Sequence, residues 1–114
     1  MANGGIRVVA DTLRQIAFGA IGAAFAPVGA VFTNPIRILT IKNDTDADMY
    51  FSYDGVTIQE YIPSQTGMIL DFTANSSTQT FPFIASGTTI YVRQVAAAAT
   101  SGIVAISAYY CVGD

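Results

Sequence analysis

Short runs of β-branched and aromatic residues alternate with turn-forming pairs along most of the chain. The runs cover residues 36–42, 48–53, 59–62, 68–72, 88–95 and 102–110. The turn-forming pairs between them recur roughly every ten residues. They are Asn34-Pro35, Asn43-Asp44, Asp54-Gly55, Pro63-Ser64, Asn75-Ser76, Ser86-Gly87 and Ser101-Gly102. Short strands joined by tight turns at this spacing predict an all-β, antiparallel fold.

Alternation within two of these runs predicts which side chains share a face. In residues 48–53, Met49, Phe51 and Tyr53 fall on one side, opposite Tyr50 and Ser52, so one face of this strand can enter a core. Residues 102–110 (GIVAISAYY) are apolar on both sides. The second pattern predicts a strand that is central in its sheet or covered by a neighbour.

The segment of residues 16–36 carries no charge and approaches the length of a membrane helix. Three glycines and Pro27 would together cost such a helix about 6 kcal/mol. The sequence therefore predicts short strands separated by turns, which place Phe18, Phe25 and Phe32 in the protein interior or against another subunit. Asp11 and the lack of a basic-then-apolar order also disfavour a signal peptide over residues 1–14.

The N-terminal residues leave two alternatives open. Residues 1–9 begin with small residues and then become apolar, a pattern that fits either a tail ordered against a neighbouring subunit or a disordered one. Residues 11–19 offer the one helical alternative in the chain, which their length makes marginal. We expect residues 1–13 to form an arm and residues 14–114 to form one β-domain, because the length allows a single core.

Charge is scarce in this chain. Five basic and eight acidic residues make up 11% of the sequence, against about 25% in an average soluble domain, while 52% of the sequence is apolar and histidine is absent. This balance predicts that other copies or partners cover part of the surface. The net charge of −3 and the scattered basic residues predict no nucleic-acid partner. Arg37 and Arg93, which interrupt apolar strands, are expected either to pair with a carboxylate of the next subunit or to cover apolar surface with their stems.

The candidate chemistry is weak. Asp44, Asp46 and Asp48 alternate as at the start of a calcium loop, but the glycine and glutamate of that loop are missing, and a turn held by side-chain hydrogen bonds explains the segment as well. A pair of catalytic carboxylates could be drawn from Asp54, Glu60 and Asp71, at a separation that the sequence does not give. No nucleophile, metal or phosphate motif is present, so we predict a protein that is not an enzyme and needs no cofactor.

Two further residue types bear on binding. Cys111 has no cysteine partner in the chain and is interpreted as a buried or interfacial thiol. Tyrosines suit both sugar stacking and protein interfaces, and the low charge and absence of tryptophan favour interface or core roles here. The six tyrosines are Tyr50, Tyr53, Tyr61, Tyr91, Tyr109 and Tyr110.

The order of these segments resembles small virion structural proteins of tailed bacteriophages. The resemblance covers residues 14–110, and its most specific part is NDTDADMYFSYDG, residues 43–55. It implies a small antiparallel β-sandwich of jelly-roll type with an extended N-terminal segment. It further implies a non-catalytic virion protein that forms a ring or array at the head-to-tail junction, in the neck, collar or tail.

The partners implied are other copies of the chain and capsid, portal or tail proteins, with no membrane span. A capsid decoration protein and a receptor- or carbohydrate-binding module of a tail appendage are the alternatives. The candidate subunit-interface residues are Phe18, Phe25, Phe32, Arg37 and Arg93.

Overall fold

The computed structural model describes residues 6–71 and 84–113, and these residues form nine β-strands and one short 3-10 helix. The N-terminal half contains β1 (Ile6–Ala10), β2 (Arg14–Ala17), the 3-10 helix Phe18–Ala20, β3 (Ala26–Pro27) and β4 (Ile38–Thr45). The C-terminal half contains β5 (Met49–Ser52), β6 (Glu60–Ile62), β7 (Thr66–Asp71), β8 (Tyr91–Gln94) and β9 (Gly102–Gly113).

The strands form two antiparallel sheets. Sheet A has the order β1-β9-β4-β7, with β2 on the same side of β9 as β1, and sheet B has the order β3-β8-β5-β6. From β2 onward, each connection passes from one sheet to the other except the hairpin between β5 and β6. Each sheet has four strand positions, because β1 and β2 share one edge position of sheet A. Two such sheets linked in this way form the double Greek key of a jelly roll. The predicted all-β antiparallel sandwich of jelly-roll type is confirmed.

The first two strands form one edge of sheet A, broken by a β-bulge. Ala10 is paired with Tyr109 and Arg14 with Ile106, so three residues of the edge face two residues of β9. The extra residue changes which side chains point inward and turns Arg14 towards the core. Residues 6–13 of the predicted N-terminal arm thus pair with or lie along the domain's own sheet, and residues 1–5 lie outside the described residues.

The core lies between the two sheets. Alternate residues of each strand point inward, and most of those on the central strands β4, β5, β8 and β9 are fully shielded from solvent. The buried apolar residues are Ile21, Val28, Phe32, Ile36, Leu39, Ile41, Met49, Phe51, Ile62, Ile90, Val92, Val104, Ile106 and Ala108.

The predicted faces of residues 48–53 match the structure with one exception. Met49 and Phe51 point into the core and Tyr50 lies on the outer face. Ser52 is also buried, because its hydroxyl donates to the Asp54 carboxylate and accepts from the N–H of Gly55, so that the following loop covers it.

The doubly apolar run of residues 102–110 is explained by its position. It forms most of β9, which pairs with β4 on one side and with β1 and β2 on the other. The prediction of a central strand is confirmed.

Two local predictions need correction. Asn43 and Asp44 were expected in a turn but belong to β4, and the chain turns after Thr45. The helical alternative at residues 11–19 is realised only as a three-residue 3-10 helix after β2. Residues 16–36 form short strands and turns as predicted, and among the described residues there is no helix with the length and hydropathy needed to cross a membrane.

Candidate subunit interface

The five predicted interface residues do not form one surface. Phe25 and Arg93 come together on the outer face of sheet B, Phe18 is partly exposed in the 3-10 helix, and Arg37 is half-buried just before β4. Phe32 requires a correction. Its side chain is 1% exposed in the core of a single copy and offers no surface to a neighbour.

Phe32 belongs to the apolar core, and Arg14 covers one face of its ring. The Arg14 guanidinium lies 4.4 Å from the centre of the Phe32 ring and is itself only 8% exposed. It donates to the carbonyls of Ala30 at 2.7 Å, Thr12 at 2.9 Å and Val31 at 3.2 Å. It also forms an ion pair with Asp11 at 3.4 Å. Arg14 thus fastens the segment after β3 to the edge of sheet A.

The outer face of sheet B carries a row of aromatic side chains with one cation among them. Arg93 of β8 lies 5.3 Å from the ring centre of Phe25 and 4.9 Å from that of Tyr50. The Tyr50 and Tyr61 rings follow at 6.0 Å, because these residues are cross-strand partners in β5 and β6. We call Phe25, Arg93, Tyr50 and Tyr61 the aromatic row. The Arg93 guanidinium, and not only its stem, therefore covers aromatic surface of its own copy, and its pairing with a carboxylate of the next subunit stays a prediction.

The exposed end of the aromatic row is polar. The Tyr61 hydroxyl donates to the Asp48 carboxylate at 3.1 Å, and the N–H of Ser64 donates to the same carboxylate at 2.9 Å. The hydrogen bond to Asp48 raises the pKa of Tyr61 above its ordinary value. This end of the row combines a flat ring with a hydrogen-bonding rim.

The three alternating aspartates make separate contacts. Asp44 is exposed on β4, Asp48 contacts Tyr61 and Ser64, and Asp46 accepts from the hydroxyl and N–H of Thr100. Those bonds from Thr100 lower the pKa of Asp46. Across residues 6–71 and 84–113 there is no group of three His, Cys, Asp or Glu residues that could hold a metal ion. The carboxylates serve the loops around them.

Asn43 is a structural residue that sequence reasoning placed wrongly. Its amide is fully buried and donates at 2.9 Å to the carbonyls of both Ala47 and Ile62, while its oxygen accepts from the N–H and hydroxyl of Thr45. The amide therefore holds the turn after β4 against β6. The sequence does predict a turn held by side-chain hydrogen bonds here, but not that the amide reaches 19 residues along the chain.

A cleft of about 350 Å³ opens between the sheets near the ends of β6 and β7. It is lined by Tyr53, Glu60, Leu70, Ile84 and Thr88. The Tyr53 hydroxyl donates to the Glu60 carboxylate at 3.1 Å, and burial, followed by the charge of Glu60, raises the pKa of Tyr53. Glu60 is the one carboxylate among these lining residues.

The outer face of sheet A is low in charge across its two central strands. The outward side chains of β9 are Ile103, Ala105, Ser107, Tyr109 and Cys111, which alternate with the buried ones. Beside them, β4 contributes Ile38 and Thr40 before its charged end at Lys42 and Asp44. Val8 of β1 and Ile69 of β7 flank this face and are 53% and 69% exposed. We call this surface the outer face of sheet A.

No family model matches the chain, and comparison with curated proteins and with solved structures gave no match. The function must therefore be argued from the fold and these surfaces.

Proposed function

We propose that this chain is a non-catalytic structural subunit of a tailed-bacteriophage particle, where copies assemble into a ring or array at the head-to-tail junction. Its partners are other copies of the chain and the adjoining capsid, portal or tail proteins. The observation that carries the proposal is the uncharged row of outward side chains that β9 presents on the outer face of sheet A.

An antiparallel sheet with one face on the core normally shows a polar face to water. Here β9 presents isoleucine, alanine, tyrosine and cysteine on both sides of Ser107, and the charged outward residues of the neighbouring β4 lie at one end of that strand, at Lys42 and Asp44. A contiguous apolar surface of this kind marks a site of protein contact, in contrast to single exposed apolar residues. The surface thus supports assembly with other protein subunits.

The architecture supports the same proposal at the level of analogy. Jelly rolls with two Greek keys are found in viral capsid and lectin domains. A fold alone does not assign a function, so this similarity only adds to the argument from the surface. Head-to-tail contacts between copies close into a ring when the rotation between neighbours divides a full turn.

Two measurements test this proposal, one on the isolated chain and one on the whole particle. Light scattering after size exclusion should give a mass that is a multiple of 12.0 kDa, and Ser107→Glu, which places a charge opposite Thr40 in the middle of the outer face of sheet A, should reduce that mass. The matched control is Val56→Glu, because Val56 is 81% exposed in the loop after β5. Assembly that is unchanged in Ser107→Glu would contradict the role given to this face.

Cryo-electron microscopy of the particle then locates the subunit. A single axial ring supports the head-to-tail junction, whereas positions on the icosahedral lattice would make the chain a decoration protein.

Carbohydrate binding by a tail appendage is the second candidate, and the aromatic row favours it. Tyr61 offers an exposed ring beside the Asp48 carboxylate, and one ring, Tyr50, separates it from the Arg93 guanidinium. This combination suits stacking of a sugar with hydrogen bonds at its rim. Glycan-array binding that is lost in Tyr61→Ala and kept in Tyr109→Ala would support this function. Absence of binding to any glycan would dismiss it.

A further inference from the structure

The edges of the two sheets differ in how well they are protected against pairing with another chain. In sheet B, β3 is two residues long and ends at Pro27, and β6 is three residues long and is followed by Pro63. In sheet A, the edge formed by β1 and β2 is interrupted by the bulge at residues 11–13. Short strands, proline and bulges are the usual devices that keep sheet edges from associating.

The edge strand β7 has none of these devices. It pairs with β4 over six consecutive residues, from Thr66 opposite Asn43 to Asp71 opposite Ile38. It contains no proline, no lysine and no arginine, and its register with β4 is continuous. Among the described residues the order of sheet A ends at this strand.

The side chains of β7 alternate cleanly between the two faces of the sheet. Met68 and Leu70 pack against the core, whereas Gly67, Ile69 and Asp71 point to the outer side. Ile69, in the middle of the strand, is 69% exposed and is the most exposed large apolar residue in any described strand. A regular edge strand with an exposed apolar residue at its centre is a template for strand addition.

We propose that β7 pairs antiparallel with β7 of a second copy, so that sheet A continues across a two-fold axis that lies midway between the Ile69 residues of the two copies. This inference rests on the proposed self-association and names the strand and register that carry it. In such a pair, residues directly opposite each other point to the same face of the sheet. Ile69 then lies opposite Ile69 of the second copy, and Met68 opposite its Leu70.

This register is the one that best fits the residues of β7. A shift by one residue would place core side chains of one copy opposite outer ones of the next. Centring the pair on Met68 would leave Ile69 opposite Gly67, which has no side chain to cover it, and centring it on Asp71 would oppose two carboxylates. With Ile69 at the axis, Gly67 faces Asp71 and the two exposed isoleucines cover each other.

Pairing of this kind gives a closed dimer, because the same strand serves both copies. Alternate residues of β7 direct their N–H and C=O groups to the edge that no other described strand covers, so about four to six hydrogen bonds would join the two strands. Growth from the dimer to a ring or array needs a second surface, which the outer face of sheet A provides.

A cysteine at the axis tests the register. Ile69→Cys in a Cys111→Ser background should give a disulfide-linked dimer under mild oxidation, because residues opposite each other in an antiparallel pair have Cβ atoms about 4.5–5.5 Å apart. Val56→Cys in the same background is the matched control and should stay at 12.0 kDa. Efficient cross-linking of Ile69→Cys supports the proposal, whereas equal cross-linking of both variants, or of neither, overturns it.

Charge at the axis gives an independent test. Ile69→Lys in the otherwise native chain opposes two ammonium groups and should raise the dimer dissociation constant by about tenfold or more, whereas Val56→Lys should leave it unchanged. If native and Ile69→Lys chains form the same multimers, the β7 contact is wrong and the proposed assembly function stands. If the native chain is a monomer at all concentrations, the assembly function itself is overturned.

Discussion

Replacing Arg14 with methionine is expected to destabilise the fold strongly. Arg14 is 8% exposed, and its guanidinium binds three carbonyl oxygens, the Asp11 carboxylate and the face of Phe32. Methionine keeps much of the apolar volume but supplies no donors. The Asp11 carboxylate, whose side chain is 15% exposed and whose buried Oδ2 has no hydrogen-bond partner, would lose its cation.

The magnitude follows from the burial of this pair. Removing one partner of a buried ion pair costs about 3–5 kcal/mol, most of which comes from the charge and the acceptors left behind. A domain of this size is stable by only about 5–15 kcal/mol, so Arg14→Met should remove a large part of that free energy of unfolding. The double variant Asp11→Asn/Arg14→Met should be less destabilised than Arg14→Met, because it leaves no buried carboxylate.

Equilibrium denaturation followed by circular dichroism measures these differences. Protein concentration must be the same for all variants, since self-association stabilises the folded state. The control is Arg93→Met, because Arg93 also stacks on two rings but is half-buried and donates one weak hydrogen bond to the carbonyl of Gln94. We expect a loss of about 1 kcal/mol for Arg93→Met. An equal cost for both variants, or a cost below about 1 kcal/mol for Arg14→Met, would refute the reasoning.

Three further predictions concern the loops. Asn43→Ala should cost about 2–3 kcal/mol in denaturant unfolding, because the Ile62 carbonyl loses this buried donor and the Thr45 N–H loses this acceptor, while the Ala47 carbonyl keeps the Thr45 hydroxyl; an unchanged midpoint would contradict this role. Gly102→Ala should block folding or cost at least about 3 kcal/mol, because a Cβ would lie 2.0 Å from the Asp44 carbonyl oxygen and the φ of this residue is 96°. The control Gly19→Ala should cost little, because the space around Gly19 is open. Similar melting temperatures for the two variants would count against this prediction. Stability should fall as pH drops below about 4. The N–H groups of Thr57 and Val56 and the Ser52 hydroxyl hold the pKa of Asp54 below its ordinary value, so protonation of this carboxylate favours the unfolded chain. Asp54→Asn should weaken the pH dependence of the denaturation midpoint in the acid range.

Much of the fold could be predicted because its signals are local. Turn pairs and alternation predicted β4 to β9 within a few residues, and the apolar character of both sides of β9 predicted its central position. The positions of Arg14 and Phe32 could not be predicted in this way. At the bulge, three residues of the edge face two residues of β9, which turns Arg14 inward. The Ala30 and Val31 carbonyls that Arg14 binds lie 16 and 17 residues further along the chain.

The candidate interface was less predictable than the fold. Phe25 and Arg93 were both singled out, but their contact depends on the pairing of β3 with β8, which no periodicity encodes. Asn43 resembles a turn residue, and only its buried amide, which donates to the Ile62 carbonyl, shows that it lies within a strand instead. Surfaces built from residues distant in the sequence follow from the strand order, and the strand order follows from packing.

Sedimentation velocity of the full native chain at micromolar concentration tests the central claim most directly. The account predicts a species whose mass is a multiple of 12.0 kDa, held together through the outer face of sheet A and the edge of β7. This species should dissociate on dilution. A single species of 12.0 kDa at every concentration would show that the exposed apolar surface needs no partner copy, and would contradict the account.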